Sequence, residues 1–163
     1  MKKICLYFVI ACSVVIMAGS CATPEERAAR AAEQARKVTA AIKERNYKIS
    51  VNRMMPLRGA AKTVSYGYGV EVRNDSLLSY LPYFGHAYNV PYGGGKGQNF
   101  SAPIESYRES QPKSDRYRIE IALSNDEDSY LYTLDIFTNG TATVDVAPRQ
   151  RDRITYSGEL EVK

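Results

Sequence analysis

From about Ile49 onward, apolar and polar residues alternate with a period of two, in short runs punctuated by turn residues. That alternation is what a strand shows when one face is buried and the other solvated. The clearest run is Tyr117, Ile119, Ile121 and Leu123. It is followed by Tyr130 to Thr138, then Asn139-Gly140, then Thr141 to Ala147. Asn-Gly between two such runs marks a tight hairpin, because both central residues of the favoured turn need positive φ. Ile49 and Val51 open the pattern, and Ile154, Tyr156, Leu160 and Val162 close it, within a last strand from Arg153 to Val162. Val64, Tyr66, Tyr68, Val70 and Val72 are expected to share one face of a strand, with Tyr66 and Tyr68 in the core. Asn74-Asp75 is expected to turn the chain into Leu77 to Leu81. No helical pattern alternates with these runs, which argues against a parallel α/β sheet. The expectation is a single mainly-β domain of seven or eight short strands over residues 46–163, an antiparallel barrel or sandwich.

The chain ahead of this domain reads differently. Lys2 and Lys3 precede an apolar run from Ile4 to Met17 interrupted only by Ser13. At about 14 residues the run is short of the roughly 20 needed to span a bilayer, and it suits the core of a signal peptide. Ala18-Gly19-Ser20-Cys21 then matches a lipobox, with Ala18 where Leu or Val is more usual. Residues 1–20 are thus expected to be a lipoprotein signal peptide and Cys21 the lipidated residue. The competing readings are ordinary secretory cleavage and an uncleaved anchor. Several acyl chains on one cysteine hold a protein firmly, whereas a single chain holds it marginally. The other cysteines, Cys5 and Cys12, lie in the leader, so no disulfide framework or cysteine metal site is expected in the domain.

Residues 21–45 are expected to form the lipidated cysteine, a short tether and an amphipathic helix. Thr23-Pro24-Glu25-Glu26 is a helix start: Thr caps, Pro suits the first helical position, and early acids complement the dipole. Ala28, Ala31, Ala35, Val38 and Ile42 then recur at helical spacing. The helix reads as a spacer lying against the domain, with a partner-binding helix as the alternative. Glu25-Glu26, a few residues beyond the anchor, is the kind of acidic pair that directs some lipoproteins to the outer face; the expected location is the cell envelope, at the outer membrane, on a face the sequence leaves open.

Three segments carry a family pattern: Leu81-Pro82-Tyr83-Phe84-Gly85-His86-Ala87-Tyr88, Asn139-Gly140-Thr141-Ala142, and Arg153-Ile154-Thr155-Tyr156-Ser157-Gly158. Over Arg45 to Val162 the chain resembles the domain of unknown function 4251, a family of small Bacteroidales lipoproteins. His86 stands where that family more often has arginine. The resemblance implies an envelope location and an all-β domain, and it implies no activity.

Composition narrows the functions. Without Lys2 and Lys3, 20 basic residues face 18 acidic ones, a balance that lacks the basic face nucleic-acid binding requires. His86 is the single histidine, so neither a zinc cluster nor a Ser-His-Asp site is expected, and no nucleophile elbow is present. Gly93-Gly94-Gly95-Lys96-Gly97 lacks the Ser or Thr of a phosphate loop. Asn125-Asp126-Glu127-Asp128 lacks the spacing of a calcium loop and reads as an acid-rich hairpin turn. Glu105, Glu109, Asp126, Glu127 and Asp128 are the remaining candidates for paired-carboxylate hydrolysis, and most read as solvated loop charges. The expectation is no enzyme and no cofactor.

Tyrosine is the informative residue, at 13 with no tryptophan. Tyr80, Tyr83, Phe84, His86, Tyr88 and Tyr92 fall within or beside the long Pro/Gly-rich segment from Pro82 to Asn99. Clustered tyrosines supply rigid amphipathic contact area. They therefore suggest a surface for a glycan, a peptide or an envelope-protein partner. The alternative is that the rings plug one end of the fold. A structural or assembly role is the rival function.

Overall fold

The computed structural model describes residues 23–89 and 97–161. The signal segment, Cys21, Tyr92, Gly93 to Lys96 and Val162 lie outside those residues. The chain divides into two compact units, Met1–Ala32 and Glu33–Lys163. In the described part of the first, helix α1 (Pro24–Lys43) begins. Its start is a capping box: Glu26 N–H donates to Thr23 Oγ1 and Thr23 N–H to the Glu26 carboxylate, each at 3.2 Å.

The second unit holds the rest of α1 and ten strands: β1 (Asn46–Pro56), β2 (Lys62–Thr63), β3 (Gly69–Arg73), β4 (Ser76–Leu81), β5 (Gln98–Pro103), β6 (Ser106–Lys113), β7 (Arg116–Ser124), β8 (Ser129–Phe137), β9 (Thr141–Pro148) and β10 (Ile154–Glu161). They form one antiparallel sheet in the order β5-β4-β3-β1-β10-β9-β8-β7-β6, with β2 paired to β1. The sheet curls into a half-barrel, so the architecture is one strand layer closed on its own core and not a two-sheet sandwich. The chain passes from one edge strand, β5, to the other, β6, through Ile104 and Glu105 alone. At that corner Ile104 N–H donates to Asp75 O and Glu105 N–H to Ala122 O.

Alternation places the core. In β7 Tyr117, Ile119, Ile121 and Leu123 are buried, and in β8 so are Tyr130, Tyr132, Leu134 and Ile136. Val38 and Ile42 of α1 are fully buried in the same cluster, with Ala41 packed against it. Only the C-terminal part of the expected stripe enters the core: Val38 and Ile42 are buried and Ala35 is half-buried, while Ala28 and Ala31 are exposed. The Asn139-Gly140 turn joins β8 to β9, with Gly140 at φ 91°. Asn74, at φ 51°, turns β3 into β4.

Three expectations need correction. Ten strands replace seven or eight, because β5 and β6 carry little alternation: β6 is exposed at six of its eight positions. The run from Val64 to Val72 is not one strand; Tyr66-Gly67 turns the chain, with Gly67 at φ 103°. In consequence Tyr66 is not core but 99% exposed, while Tyr68 is half-buried against the core. The bare φ of Gly67 is open to L side chains only at a cost, which is why the turn falls there.

Candidate functional site

The β4–β5 connection after Leu81, the β7–β8 turn at Asn125–Asp128 and the β9–β10 turn at Arg149–Arg153 meet at one place. Among the described residues the buried charged ones are Asp128, Arg151 and Asp152, and all three lie there. Burying a charge is costly unless it is paired or hydrogen-bonded, and each has its partner. The Asp128 carboxylate accepts from the backbone N–H of Ser129 at 2.8 Å and of Arg149 and Gln150 at 3.1 Å. It thereby fastens one turn to the other. Arg151 Nη2 pairs with Glu127 Oε2 at 3.1 Å, with both side chains less than a tenth exposed. Asn125 Oδ1 accepts from Glu127 N–H and Asp128 N–H at 2.9 Å, which shapes the turn that presents them.

Asp152 organises the aromatic loop. Its Oδ1 accepts from the Tyr88 hydroxyl at 2.6 Å and its Oδ2 from the His86 N–H at 3.2 Å. Asp152 N–H returns a bond to His86 O at 2.9 Å, and Ala87 bridges to Arg151. The Tyr88 hydroxyl and then the His86 N–H hold the Asp152 carboxyl below the usual carboxylate range. That negative charge in turn raises the Tyr88 phenol. The Tyr83 hydroxyl donates toward His86 O at 2.9 Å, and burial raises that phenol too. Gly85 sits over Tyr83 and Asp152: a Cβ there would lie 3.0 Å from Tyr83 Cζ and 3.2 Å from Asp152 Cβ.

The outcome is a braced loop with its rings outward. Phe84 is 48% and Tyr88 64% exposed. Lys62 Nζ stands 3.2 Å from the centre of the Phe84 ring, and the His86 and Tyr88 rings lie 5.0 Å apart. Tyr83 is half-buried and packs against the core. Tyr80 does not join this group. It stacks on Tyr68 at 4.8 Å on the outer face of the sheet.

Beneath the loop the interior is polar. The Tyr156 hydroxyl lies 2.8 Å from Pro82 O and 2.7 Å from Gln98 Oε1, and the Tyr132 hydroxyl donates to Ser79 Oγ at 3.0 Å. Burial pushes the phenols of Tyr132 and Tyr156 far above the ordinary tyrosine range. Arg151, Asp152 and Gln98 are not legible as site residues, because a turn such as Arg149-Gln150-Arg151-Asp152 reads as solvated; Asp128 stands among the candidate carboxylates but reads as a turn charge.

Glu105, Glu127 and Asp128, three of the five carboxylates considered for hydrolysis, have structural partners. Glu127 and Asp128 are not solvated but hold the turns together, and Glu105 accepts from the Ser124 hydroxyl. Among the described residues no group of three His, Cys, Asp or Glu could hold a metal ion, and no helix is long and apolar enough to cross a membrane.

Comparison with known proteins adds the following. None of the curated proteins compared with the chain matches it. The chain is similar to a solved structure of a DUF4251 family protein from Bacteroides eggerthii DSM 20697, with a TM-score of 0.60 at 20% identity, covering 78% of this chain and 86% of that one. At that identity the likeness speaks for the fold. The family model described as Domain of unknown function (DUF4251) matches residues 29–160, from within α1 to the penultimate described residue of β10, and the chain therefore belongs to the DUF4251 family.

Proposed function

We propose that the chain is a cell-envelope lipoprotein, held to the membrane through acyl chains on Cys21, whose β domain is a non-enzymatic binding module. The observation that carries the binding role is the burial of Asp128, Arg151 and Asp152 beneath the loop bearing Phe84, His86 and Tyr88. Polar burial on this scale fixes the loop in one conformation, and a preorganised surface loses less entropy on binding. With the Tyr88 and Tyr83 hydroxyls committed to Asp152 and His86, the loop offers ring faces and an imidazole. Its ligand is one that stacks: an aromatic or sugar ring, or a side chain of a peptide or envelope partner.

The binding test is a thermal-shift series on the chain against glycans, peptides, bile acids and haem. A ligand at about 100 times its Kd adds roughly 2.7 kcal/mol, several degrees for a domain of this size. Phe84→Ala should abolish the shift, and Tyr88→Phe, which keeps the ring, should retain it. No shift from any compound refutes small-ligand recognition and favours the assembly role. The anchor has a separate test: an alkyne fatty acid should label the wild-type chain in cells and leave Cys21→Ser unlabelled, and equal labelling removes the lipoprotein reading.

A further inference from the structure

The outer face of the sheet carries a second aromatic group. Tyr66 projects from its turn at 99% exposure, and Tyr80, at 54%, is stacked on Tyr68 with 14° between the ring planes. Two grooves run between these rings and share Gly67 as their floor. One, of about 290 Å³, lies between Tyr66, Asn52 and Glu159. The other, of about 140 Å³, continues past Gly69 to Glu71 and Tyr80.

Three features shape this path. Gly67 leaves its floor bare, since a Cβ there would meet nothing within 4 Å. Gly69 must be bare, because its Cβ position lies 3.3 Å from the Ile49 carbonyl carbon and closer still to the oxygen. The register of β1 against β10 shifts between Val51 and Arg53, which makes Asn52 the extra residue of a bulge. A bulge re-aims side chains, and the Asn52 side chain lines the groove. The path crosses β10, β1, β3 and β4. At about 4.8 Å between strands it is about 14 Å long.

We infer that this outer groove is a binding site for a short neutral oligosaccharide, stacked on Tyr66 and Tyr80 and hydrogen-bonded by Asn52 and Glu159. Flat rings flanking an open trough suit the C–H faces of sugar rings. An amide and a carboxylate supply a donor and acceptors for hydroxyls. The lining favours a neutral ligand: Lys48 and Glu71 are each committed to an ion pair, with Glu161 at 3.1 Å and with Arg73 at 2.8 Å, which leaves the Glu159 carboxylate to disfavour anions. The site is separate from the loop of Phe84 and Tyr88 and stands without it.

The test titrates the full chain, in a detergent without a sugar headgroup, with short neutral glucans, mannans and xylans. Saturable heat on calorimetry is expected for at least one of them. Tyr66→Ala and Tyr80→Ala should each weaken binding about tenfold, or 1.4 kcal/mol. Heat weakened by Tyr66→Ala belongs to this site, and heat lost only in Phe84→Ala belongs to the loop. Tyr66 touches so little that Tyr66→Ala should also leave the melting temperature unchanged. Absence of binding to every saccharide, equal affinity in wild type and Tyr66→Ala, or displacement of the sugar by a lysine-rich peptide that binds more tightly each overturns the assignment.

Discussion

Removing the Asp128 carboxylate tests whether the turns are held together as described. Asp128 is 7% exposed, and Oδ1 alone accepts from three backbone N–H groups, those of Ser129, Arg149 and Gln150. Oδ2 adds only a second contact to Gln150, at 3.1 Å. Asp128→Ala therefore leaves three donors without this acceptor, although Arg149 N–H keeps Ser129 O at 3.0 Å. A hydrogen bond to a charged group contributes about 1.5–3 kcal/mol net. With two such bonds lost outright and water reaching part of the turn, the cost is about 3 kcal/mol. For a domain of this length that lowers Tm by about 10 °C. Asp128→Asn keeps an oxygen where Oδ1 stands and forfeits the charge and one weak contact, for about 1 kcal/mol. Urea titration followed by far-UV circular dichroism would give both values, and hydrogen exchange should show the amides of Ser129 and Gln150 opening first in the alanine variant. Equal losses for Asn and Ala, or a loss below about 1 kcal/mol for Ala, would refute the clamp.

Gly158→Ala should be severely destabilising, since its methyl would lie 2.8 Å from the Ser50 carbonyl carbon and the Val51 Cα, both backbone; overpacking costs about 1–3 kcal/mol or more, and the soluble yield and urea midpoint report it. Ile42→Ala, at a fully buried helix position, should cost about 2–5 kcal/mol if α1 is part of the core; an unchanged midpoint would show a detachable helix. Tyr132 and Tyr156 have phenols raised by burial, so they stabilise the fold fully below the ordinary tyrosine pKa. As pH rises above that range the unfolded chain ionises first and stability falls, which ultraviolet titration should show as two late-ionising tyrosines in the folded protein. Asp152 has the opposite sign: its lowered pKa contributes stability above the usual carboxylate range, lost as pH falls through its folded value, and Asp152→Asn should flatten that acid dependence.

Legibility in the sequence followed burial. Tyr117 to Leu123 alternates because one face of β7 meets the core, and Asn139-Gly140 is readable because its turn needs positive φ. β6 was invisible for the converse reason: Ser106–Lys113 is an edge strand with little buried on either face, and its charges and Pro112 are what protect an edge from pairing with another chain. Tyr66 was misplaced by extending a period of two through a turn that only Gly67 announces. The aromatic loop could be located from its composition. Its support could not, since Asp128, Arg151 and Asp152 are buried by contacts between turns far apart in sequence, and a polar turn residue carries no sign of what it will meet.

The tyrosines show how much the fold demands and how much it leaves over. Thirteen tyrosines against four phenylalanines is more hydroxyl than packing alone requires. In the interior those hydroxyls are placed: Tyr117 on Thr39 at 2.9 Å, Tyr132 on Ser79, Tyr156 beside Pro82 O and Gln98, and Tyr47 with Tyr107 at 3.3 Å. Each lets a large ring enter the core without an orphaned polar atom, and at these positions tyrosine is explained by folding. Tyr88 is explained by bracing its loop through Asp152. Tyr66 is explained in neither way, because its ring faces solvent; Tyr80 stacks on Tyr68 yet stays half exposed, and neither hydroxyl forms a bond among the described residues. A ring as exposed as that of Tyr66 neither packs nor braces, so the outer groove that it flanks with Tyr80 is where the sequence holds something in reserve for a ligand.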